Sequence, residues 1–193
     1  MKLEDLLRKR SGNACELSGA TESLVVYEVP PVKNNGADSS ILISEKCLNQ
    51  IEKKEELDAA FWESVLPGSM WSEVPVVQVV SWRMLNRFRN ESWASDALDM
   101  MYLDDENLEW AKATGDHTGD GEILFHKDSN GHILQNGDSV TLIKDLDVKG
   151  STLNAKIGTA VRNIRLVHDN HEQIEGKIEG QAIVILTKYV KKQ

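Results

Sequence analysis

The sequence predicts an α+β protein made of two domains, and three observations support this fold class. Residues 1–57 hold two short apolar blocks and two cysteines, spaced like the knuckles of a small zinc-binding finger. Residues 58–115 contain tryptophans within helical patterns, and residues 121–193 break into short apolar blocks separated by turn residues. A Gly- and Asp-rich stretch, residues 114–121, is typical of a linker between the two.

The first 57 residues are predicted to contain two helices and two strands. Leucines at helical spacing predict a short helix over residues 3–10. Blocks rich in β-branched residues predict strands at 23–29 and 41–43, and residues 48–57 have a helical pattern. Two strands beside a helix, with a cysteine near residue 15, resemble the scaffold of a treble-clef-like finger.

The tryptophan-rich segment is predicted to be a cluster of helices. Trp71, Trp82 and Trp93 lie 11 residues apart, close to three helical turns, but Pro75 excludes one continuous helix. Local signals instead predict three helices, which run from the Ser72–Pro75 start to about 89, from Ser92 to about 101, and from Asp104 or Asp105 to about 113. We interpret the tryptophans as core residues rather than a ligand-binding box.

The C-terminal domain is predicted to be a small SH3-like β-barrel. Asn130-Gly131 and Asn136-Gly137 suit tight turns, because Asn-Gly adopts positive φ easily. The five expected strands cover 122–126, 139–145, 159–167, 173–178 and 181–187. Recognition is expected in the loops 144–151 and 168–172, whose candidate binding residues are Lys144, Lys149, His168 and His171.

Four positions resemble a zinc ribbon with half of its ligands replaced. The stretch CELSG begins at Cys15 and has the form C-x-x-C-G, with Ser18 in the second cysteine position; the stretch SEKC has Ser44 first and Cys47 last. Serine oxygen does not replace a thiolate on Zn²⁺, so neither a metal nor another cofactor is expected. Cys15 and Cys47 are predicted to face each other, either as reduced thiols or, when oxidised, as a disulfide.

The segments GDSVTLIKDLDVKGS, KIGTAVRNIRLV and KIEGQAIVILTKYVKKQ, within residues 137–193, resemble the C-terminal domain of the PhnA/YjdM family. Longer members of that family resemble this layout with cysteine at all four knuckle positions, so the resemblance implies a degenerate zinc ribbon here. The family is named after a bacterial alkylphosphonate-utilisation operon. It leaves two functional classes open: a non-catalytic binding or adaptor protein with an unknown protein or small-molecule partner, or a hydrolase of the phosphonoacetate-hydrolase type.

The first knuckle and the strand after it also resemble the scaffold of HNH endonucleases. Where those enzymes place a general-base histidine, this chain has Tyr27 or Glu28. A metal-dependent nuclease needs a base that activates water and a ligand that holds the cation. The likeness is therefore one of scaffold, and the sequence favours the non-catalytic class over an enzyme.

Charge is unevenly distributed along the chain. The net charge is −9, with 22 basic and 31 acidic residues; residues 121–193 hold 10 basic and 9 acidic residues, which leaves 12 and 22 in residues 1–120. The acidic N-terminal part repels phosphate backbones, so nucleic-acid binding by the whole chain is not expected. No apolar stretch approaches the ~20 residues that span a bilayer, and the charged first residues do not form a signal peptide. We expect a cytoplasmic protein without membrane contact.

Two weaker patterns point to polar loops. Asp116, Thr118 and Asp120 match the start of a calcium-binding EF-hand loop, but its last ligand position holds Lys127, so we interpret the segment as linker. The histidine pair at 168 and 171 is interpreted as turn residues rather than metal ligands. His126 and His132 flank an Asn-Gly turn and are placed to meet across a hairpin.

Overall fold

A computed structural model describes most of the chain as two compact units, Met1–Ile123 and Leu124–Gln193. The described residues are 2–34, 36–147, 154–168 and 170–193. The stretch 114–121, expected to link two domains, lies inside the first unit. The two units are considered separately below, because each has a hydrophobic core of its own.

The first unit begins with a helix and a two-stranded antiparallel sheet. Helix α1 (Leu3–Ser11) precedes strand β1 (Leu24–Glu28), which pairs with strand β2 (Ser40–Ser44). The register sets Leu24 against Ser44. All three elements lie where the sequence predicts them, and β2 is buried along its whole length.

The predicted helix over 48–57 is wrong in its bounds, because two capping residues divide this region differently. Helix α2 (Glu45–Ile51) begins earlier, since the Ser44 hydroxyl accepts the amide of the third helical residue. Asp58 then caps an unpredicted helix, α3 (Ala59–Ser69), by accepting the amide of Phe61 at 3.1 Å. The first unit therefore has one helix more than the sequence pattern indicates.

Three further helices complete the first unit and confirm the predicted helical cluster. They are α4 (Pro75–Arg87), α5 (Ser92–Met100) and α6 (Asp105–Lys112). Pro75 occupies the first helical position of α4, where its missing N–H has no cost. Asp104 caps α6 by accepting the amide of Asn107 at 2.8 Å. Among the described residues, no helix combines the length and apolarity needed to cross a bilayer.

The aromatic core differs in part from the expected tryptophan cluster. Trp62 and Trp110 are buried, whereas Trp82 and Trp93 are half-buried against the same core. Trp71 is 58% exposed, so its assignment to the core is wrong. The core forms instead around the valines of α4, whose apolar residues line up on the face that packs against α3, α5 and α6.

The second unit consists of short antiparallel strands around one aliphatic core. The strands are β3 (Val140–Leu142), β4 (Leu146–Asp147), β5 (Asn154–Ala155), β6 (Ala160–Val161), β7 (Arg165–Leu166), β8 (Gln173–Ile178), β9 (Gln181–Leu186) and β10 (Val190–Lys192). They form sheets in the orders β10-β3-β6, β4-β5 and β7-β8-β9. Within the described part of this unit, they do not close into a single barrel. The α+β class is confirmed.

Two predicted strands of the second unit are wrong. Residues 122–126 form no strand, and only an isolated bridge joins Lys127 to Ile133 nearby. The predicted strand 159–167 is interrupted at Asn163, whose φ of 53° breaks the extended backbone and separates β6 from β7. Strand β8 has the predicted bounds, and β9 ends one residue early.

Candidate functional site

Two buried cysteines lie side by side in the first unit. Cys15 lies in the loop between α1 and β1, and Cys47 lies in the first turn of α2. Their sulfur atoms are 4.0 Å apart, and the residues are 3% and 0% exposed. Both are free thiols. The predicted proximity of these two residues is confirmed.

The loop around Cys15 folds back onto its own sulfur. The amide of Ser18 donates to Cys15 Sγ at 3.3 Å, and the amide of Gly19 donates to the Cys15 carbonyl at 2.8 Å. Gly19 has a φ of 73°, a conformation that glycine adopts without a steric penalty. The Ser44 hydroxyl accepts the Cys47 amide at 3.4 Å. The loop, called the knuckle loop below (residues 15–19), therefore turns back onto Cys15, and Ser44 acts as a helix cap.

The two thiols differ in acidity because they share one hydrogen bond. The hydrogen bond from Cys47 lowers the pKa of Cys15 to about 5, and it outweighs burial, which acts in the opposite direction. The same hydrogen bond raises the pKa of Cys47, and burial adds to that rise. Cys15 is therefore the more acidic of the two thiols, and the first proton that the pair loses leaves a thiolate there.

The zinc that the family resemblance implies does not fit these residues. A structural zinc site uses four ligands, and the knuckles supply two sulfurs and two serine oxygens. Among the described residues, no group of three His, Cys, Asp or Glu side chains is placed to hold a metal ion. The sulfur separation of 4.0 Å is nevertheless close to the edge of a tetrahedral zinc–thiolate site, about 3.8 Å for Zn–S bonds of about 2.3 Å.

A cavity of about 740 Å³ opens beside the thiol pair. It lies between the end of α1, the knuckle loop and α3, and its lining includes Cys15, Ser18 and Phe61. Arg10 also lines the cavity, but its guanidinium is fixed by Glu16, with N–O distances of 2.6 and 2.8 Å. The cavity thus gives small solutes a route to Cys15, while Cys47 lies behind it.

The strand that resembles part of an HNH endonuclease does not present a base. Burial raises the pKa of Tyr27, against the attraction of Arg83 and Arg87, so its phenol stays protonated at neutral pH. Glu28 is exposed at the end of β1. Neither residue has the environment of a general base that activates water.

The interpretation of residues 114–121 as a linker is wrong, because α4 and the turn after it hold this segment. Arg87 Nε lies 2.7 Å from Asp116 Oδ1, and both side chains are largely buried, at 9% and 5% exposed. Arg89 donates to the carbonyls of Asp116, Thr118 and Gly119 at 2.6 to 2.9 Å. Asp116 is therefore an ion-pair partner, a role that the EF-hand pattern does not reveal.

In the second unit, one turn connects the two predicted binding loops. The 3₁₀ turn Thr187–Tyr189 follows β9. The Ile143 amide donates to the Tyr189 carbonyl at 3.0 Å, and the Thr187 amide donates to the Glu172 carbonyl at 2.9 Å. The loop after β3 and the loop before β8 therefore meet at the same turn. Of their candidate residues, Lys149 lies outside the described part of the chain.

The surface around this turn combines apolar and cationic side chains. Ile143 is 39% exposed and Ile157 is 64% exposed. Lys144 Nζ and Lys188 Nζ lie 4.8 and 5.3 Å from the ring centre of Tyr189, within cation–π range. We refer to these five residues as the turn face. Its backbone is continuous with the strands, since the amide of Gly158 donates to the Leu142 carbonyl at 2.8 Å.

Two histidines of the second unit are turn residues, as predicted, and the other two have partners that the sequence pattern does not identify. His168 lies in the turn after β7, and His171 is exposed beside it. His126 Nε2 lies 3.0 and 3.1 Å from the carbonyls of Val167 and Asn170, and so it fixes this turn. His126 and His132 were expected to contact each other, but each has a different partner. His132 Nδ1 lies 3.4 Å from Asp128 Oδ2. Long-range partners of this kind carry no local sequence signal.

Comparison with known proteins relates the second unit to one family. Residues 126–193 match the family model described as YjdM: PhnA domain. The chain is similar to Protein YjdM of Escherichia coli K12, at 51% identity over 74 residues, which are 38% of this chain and 66% of that protein.

Two other relatives show nearly the same identity over shorter stretches. Protein YjdM of Streptococcus mutans is 52% identical over 72 residues, which are 37% of this chain and 64% of that protein. The YjdM homolog of Haemophilus influenzae is 52% identical over 59 residues, or 31% and 49% of the two chains. The chain thus spans just under two thirds, or less, of the length of these relatives. Residues 126–193 therefore form a PhnA domain, the domain that defines the YjdM family model.

Proposed function

We propose that this protein is a non-catalytic binding protein, and that its turn face docks an acidic, partly apolar segment of a partner protein. The observation that carries the proposal is that the backbone amides of two exposed isoleucines are hydrogen-bonded to the segments that carry the cations. Ile143 bonds to Tyr189, which follows Lys188, and Ile157 bonds to Asp145, which follows Lys144. The two loops predicted to carry recognition meet at this face. Loops positioned by a rigid sheet are the usual place for such contacts.

Apolar contact supplies the attraction in this proposal. Single exposed apolar residues are ordinary, but neighbouring ones on one face suggest a contact surface. Burial of an isoleucine contributes roughly 1.5–3 kcal/mol. Ile157 is positioned by its amide, which donates to Asp145 Oδ1 at 2.6 Å. The residue is therefore presented on an ordered turn, which reduces the entropy lost on binding.

Charge selects the partner in this proposal. Lys144 and Lys188 flank the isoleucines, and the neighbouring carboxylate of Asp145 is paired with Lys156 at 3.7 Å. The face therefore presents net positive charge to an approaching segment. Opposite charge on the partner raises the association rate and excludes basic segments. The partner is thus expected to carry Asp or Glu among its apolar residues.

The finer architecture that we propose is an SH3-like arrangement of the second unit. The sheets β10-β3-β6 and β7-β8-β9 share one aliphatic core, which supports this arrangement. For the first unit we propose a zinc-ribbon-like finger that has kept its knuckle geometry without its metal. The sulfur separation and the Ser18 amide contact support that relationship. Reduced thiols also accord with a cytoplasmic protein.

Selection from a random peptide library displayed on phage, with the full chain immobilised, tests the binding proposal. We expect enriched peptides that combine Asp or Glu with large apolar residues. Replacement of both cations, Lys144→Glu with Lys188→Glu, should weaken binding of these peptides by roughly tenfold or more. Lys177→Glu is the matched control, because Lys177 is an exposed cation on β8 outside the turn face.

Two outcomes would contradict the proposal. One is the enrichment of neutral or basic peptides, and the other is equal loss of binding in the Lys177→Glu control. Release of phosphate from phosphonoacetate by the purified chain, retained in the turn-face variant, would instead favour the hydrolase class. An assay of that reaction therefore accompanies the selection.

A further inference from the structure

The paired sulfurs of Cys15 and Cys47 suit a metal ion that needs only two thiolate ligands. Soft ions such as Cu(I) prefer thiolates over oxygen donors. A linear sulfur–metal–sulfur unit with bonds of about 2.3 Å spans about 4.6 Å. The observed separation is 4.0 Å, so the sulfurs need to move apart by only a few tenths of an ångström each.

The surroundings of the two sulfurs favour such an ion over a harder one. Both cysteines are buried within the hydrophobic core of the first unit, and the Ser18 amide lies 3.3 Å from Cys15 Sγ. The Ser18 amide donates to Cys15 Sγ, which stabilises negative charge on that sulfur. Zn²⁺ requires two additional strong ligands, and the described residues place none beside the pair.

The ion also has a route to its ligands. Cys15 lines the cavity of about 740 Å³ between the knuckle loop and α3. Polar side chains, among them Ser18 and Ser72, line the same cavity, so a hydrated or chelated ion can approach the first sulfur. Cys47 Sγ lies 4.0 Å from that first sulfur, so the second ligand is within reach of an ion bound to Cys15.

We propose that Cys15 and Cys47 form a two-thiolate site for a soft univalent metal ion, and that Cu(I) is the ion that fits it. Each sulfur binds as a thiolate, so any proton still held by the pair is released to solvent when the metal enters. No oxidation state changes in this step. The site lies in the first unit and is independent of the turn face, so either proposal can fail without the other.

Anaerobic competition for Cu(I) tests this inference. The reduced full-length chain is titrated with Cu(I) in the presence of bathocuproine disulfonate, a coloured Cu(I) chelator. We expect the protein to withhold about one equivalent of copper from the chelator, as a site with two soft ligands should. Cys15→Ser and Cys47→Ser should each lose this retention. Ser44→Ala should keep it, because that change removes a hydroxyl beside Cys47 and leaves both sulfurs in place.

Three results would overturn the inference. The first is copper retention in Cys15→Ser or Cys47→Ser that equals that of the unchanged chain. The second is absence of retention in the unchanged chain while its circular dichroism shows a folded protein. The third is an X-ray absorption spectrum of the copper-loaded chain with nitrogen or oxygen in the first shell. Thermal melting of each variant establishes that a lost signal does not come from unfolding.

Discussion

The cores of the two units differ in the kinds of side chain that they bury. The first unit buries large and polar side chains together, with Trp62 and Trp110 in its core and the Arg87–Asp116 ion pair beside it. The second unit has a smaller core made entirely of Ala, Val, Leu and Ile. The first unit therefore depends on a few specific polar contacts, whereas the second depends on close aliphatic packing.

This difference follows the boundary of the family match. Residues 126–193 match the PhnA domain and form nearly the whole second unit. The first unit, by contrast, carries the Cys15–Cys47 pair and the buried Arg87–Asp116 ion pair. The family match therefore concerns the unit with the aliphatic core and not the unit with the buried polar contacts.

A complete set of four cysteines should give the largest effect, which is a gain of zinc binding in the first unit. In the double variant Ser18→Cys with Ser44→Cys, we expect about one equivalent of tightly bound Zn²⁺, with apparent binding energy of roughly 10 kcal/mol. Elemental analysis and the zinc dependence of the melting temperature measure this. Ser18→Cys alone is the control and should bind zinc much more weakly. A double variant that folds but takes up no zinc would refute the ribbon relationship.

Breaking the buried ion pair should be the next largest change. Arg87→Met leaves Asp116 buried without its cation and should destabilise the first unit by about 3–5 kcal/mol. Urea unfolding followed by tryptophan fluorescence reports this unit, since all five tryptophans lie in it. Arg8→Met, which removes an exposed pair with Glu4, should cost about 0–1 kcal/mol. Equal costs for the two variants would contradict the structural role of Arg87.

Overpacking should test the aliphatic core of the second unit. A side chain added at Gly176 would collide with Val161 of β6, so Gly176→Ala should destabilise this unit by about 1–3 kcal/mol. Hydrogen exchange of the β8 and β9 amides measures the change. Lys177→Ala, an exposed change on the same strand, should leave exchange nearly unaltered. Unchanged exchange rates of these amides in Gly176→Ala would contradict the close approach of Gly176 to Val161.

Acid should weaken the second unit through Asp128, with the smallest effect. Burial alone would raise the pKa of Asp128, but amide donors from Lys192, His132 and Asn130 outweigh it, and the net pKa is lowered. The pKa of Asp128 is lower in the folded protein than in the unfolded chain. The ionised carboxylate therefore stabilises the fold above about pH 4, and this stabilisation is lost as the pH falls through the pKa of the folded protein.

The comparison with Asp128→Asn isolates this carboxylate. The variant should lose about 1 kcal/mol at neutral pH, because a weaker acceptor faces the same amides. The free energy of unfolding of the variant should also fall less steeply between pH 5 and pH 2. An unperturbed aspartate, with a pKa of about 3.9, takes up its proton within this interval. Chemical unfolding by circular dichroism across that interval measures both. Parallel curves for the two proteins would exclude Asp128 as a source of acid sensitivity.

Elements with local signals could be predicted from the sequence. Pro75 and Asp104 mark helix starts that the structure confirms. Helix α3 was missed, because Pro67 and Gly68 within it oppose a helical pattern and only the packing of Trp62 compensates. The interruption at Asn163 was also missed, since nothing local requires its positive φ.

The candidate site could be predicted only where its spacing follows a known pattern. The knuckle spacing placed Cys15 beside Cys47 correctly, although 32 residues separate them. The pairing of Arg87 with Asp116 has no such pattern, and neither has the meeting of two loops at the turn before β10. Contacts of this kind depend on how distant segments fold together, which single-sequence patterns do not encode.

The difference in acidity between the two thiols makes their alkylation sequential. A thiolate is the nucleophile toward iodoacetamide, so Cys15 should be modified before Cys47. The group attached to Cys15 then stands between the cavity and Cys47, which is fully buried. The second sulfur should therefore react only when this part of the chain opens, so the first labelling event protects the second thiol.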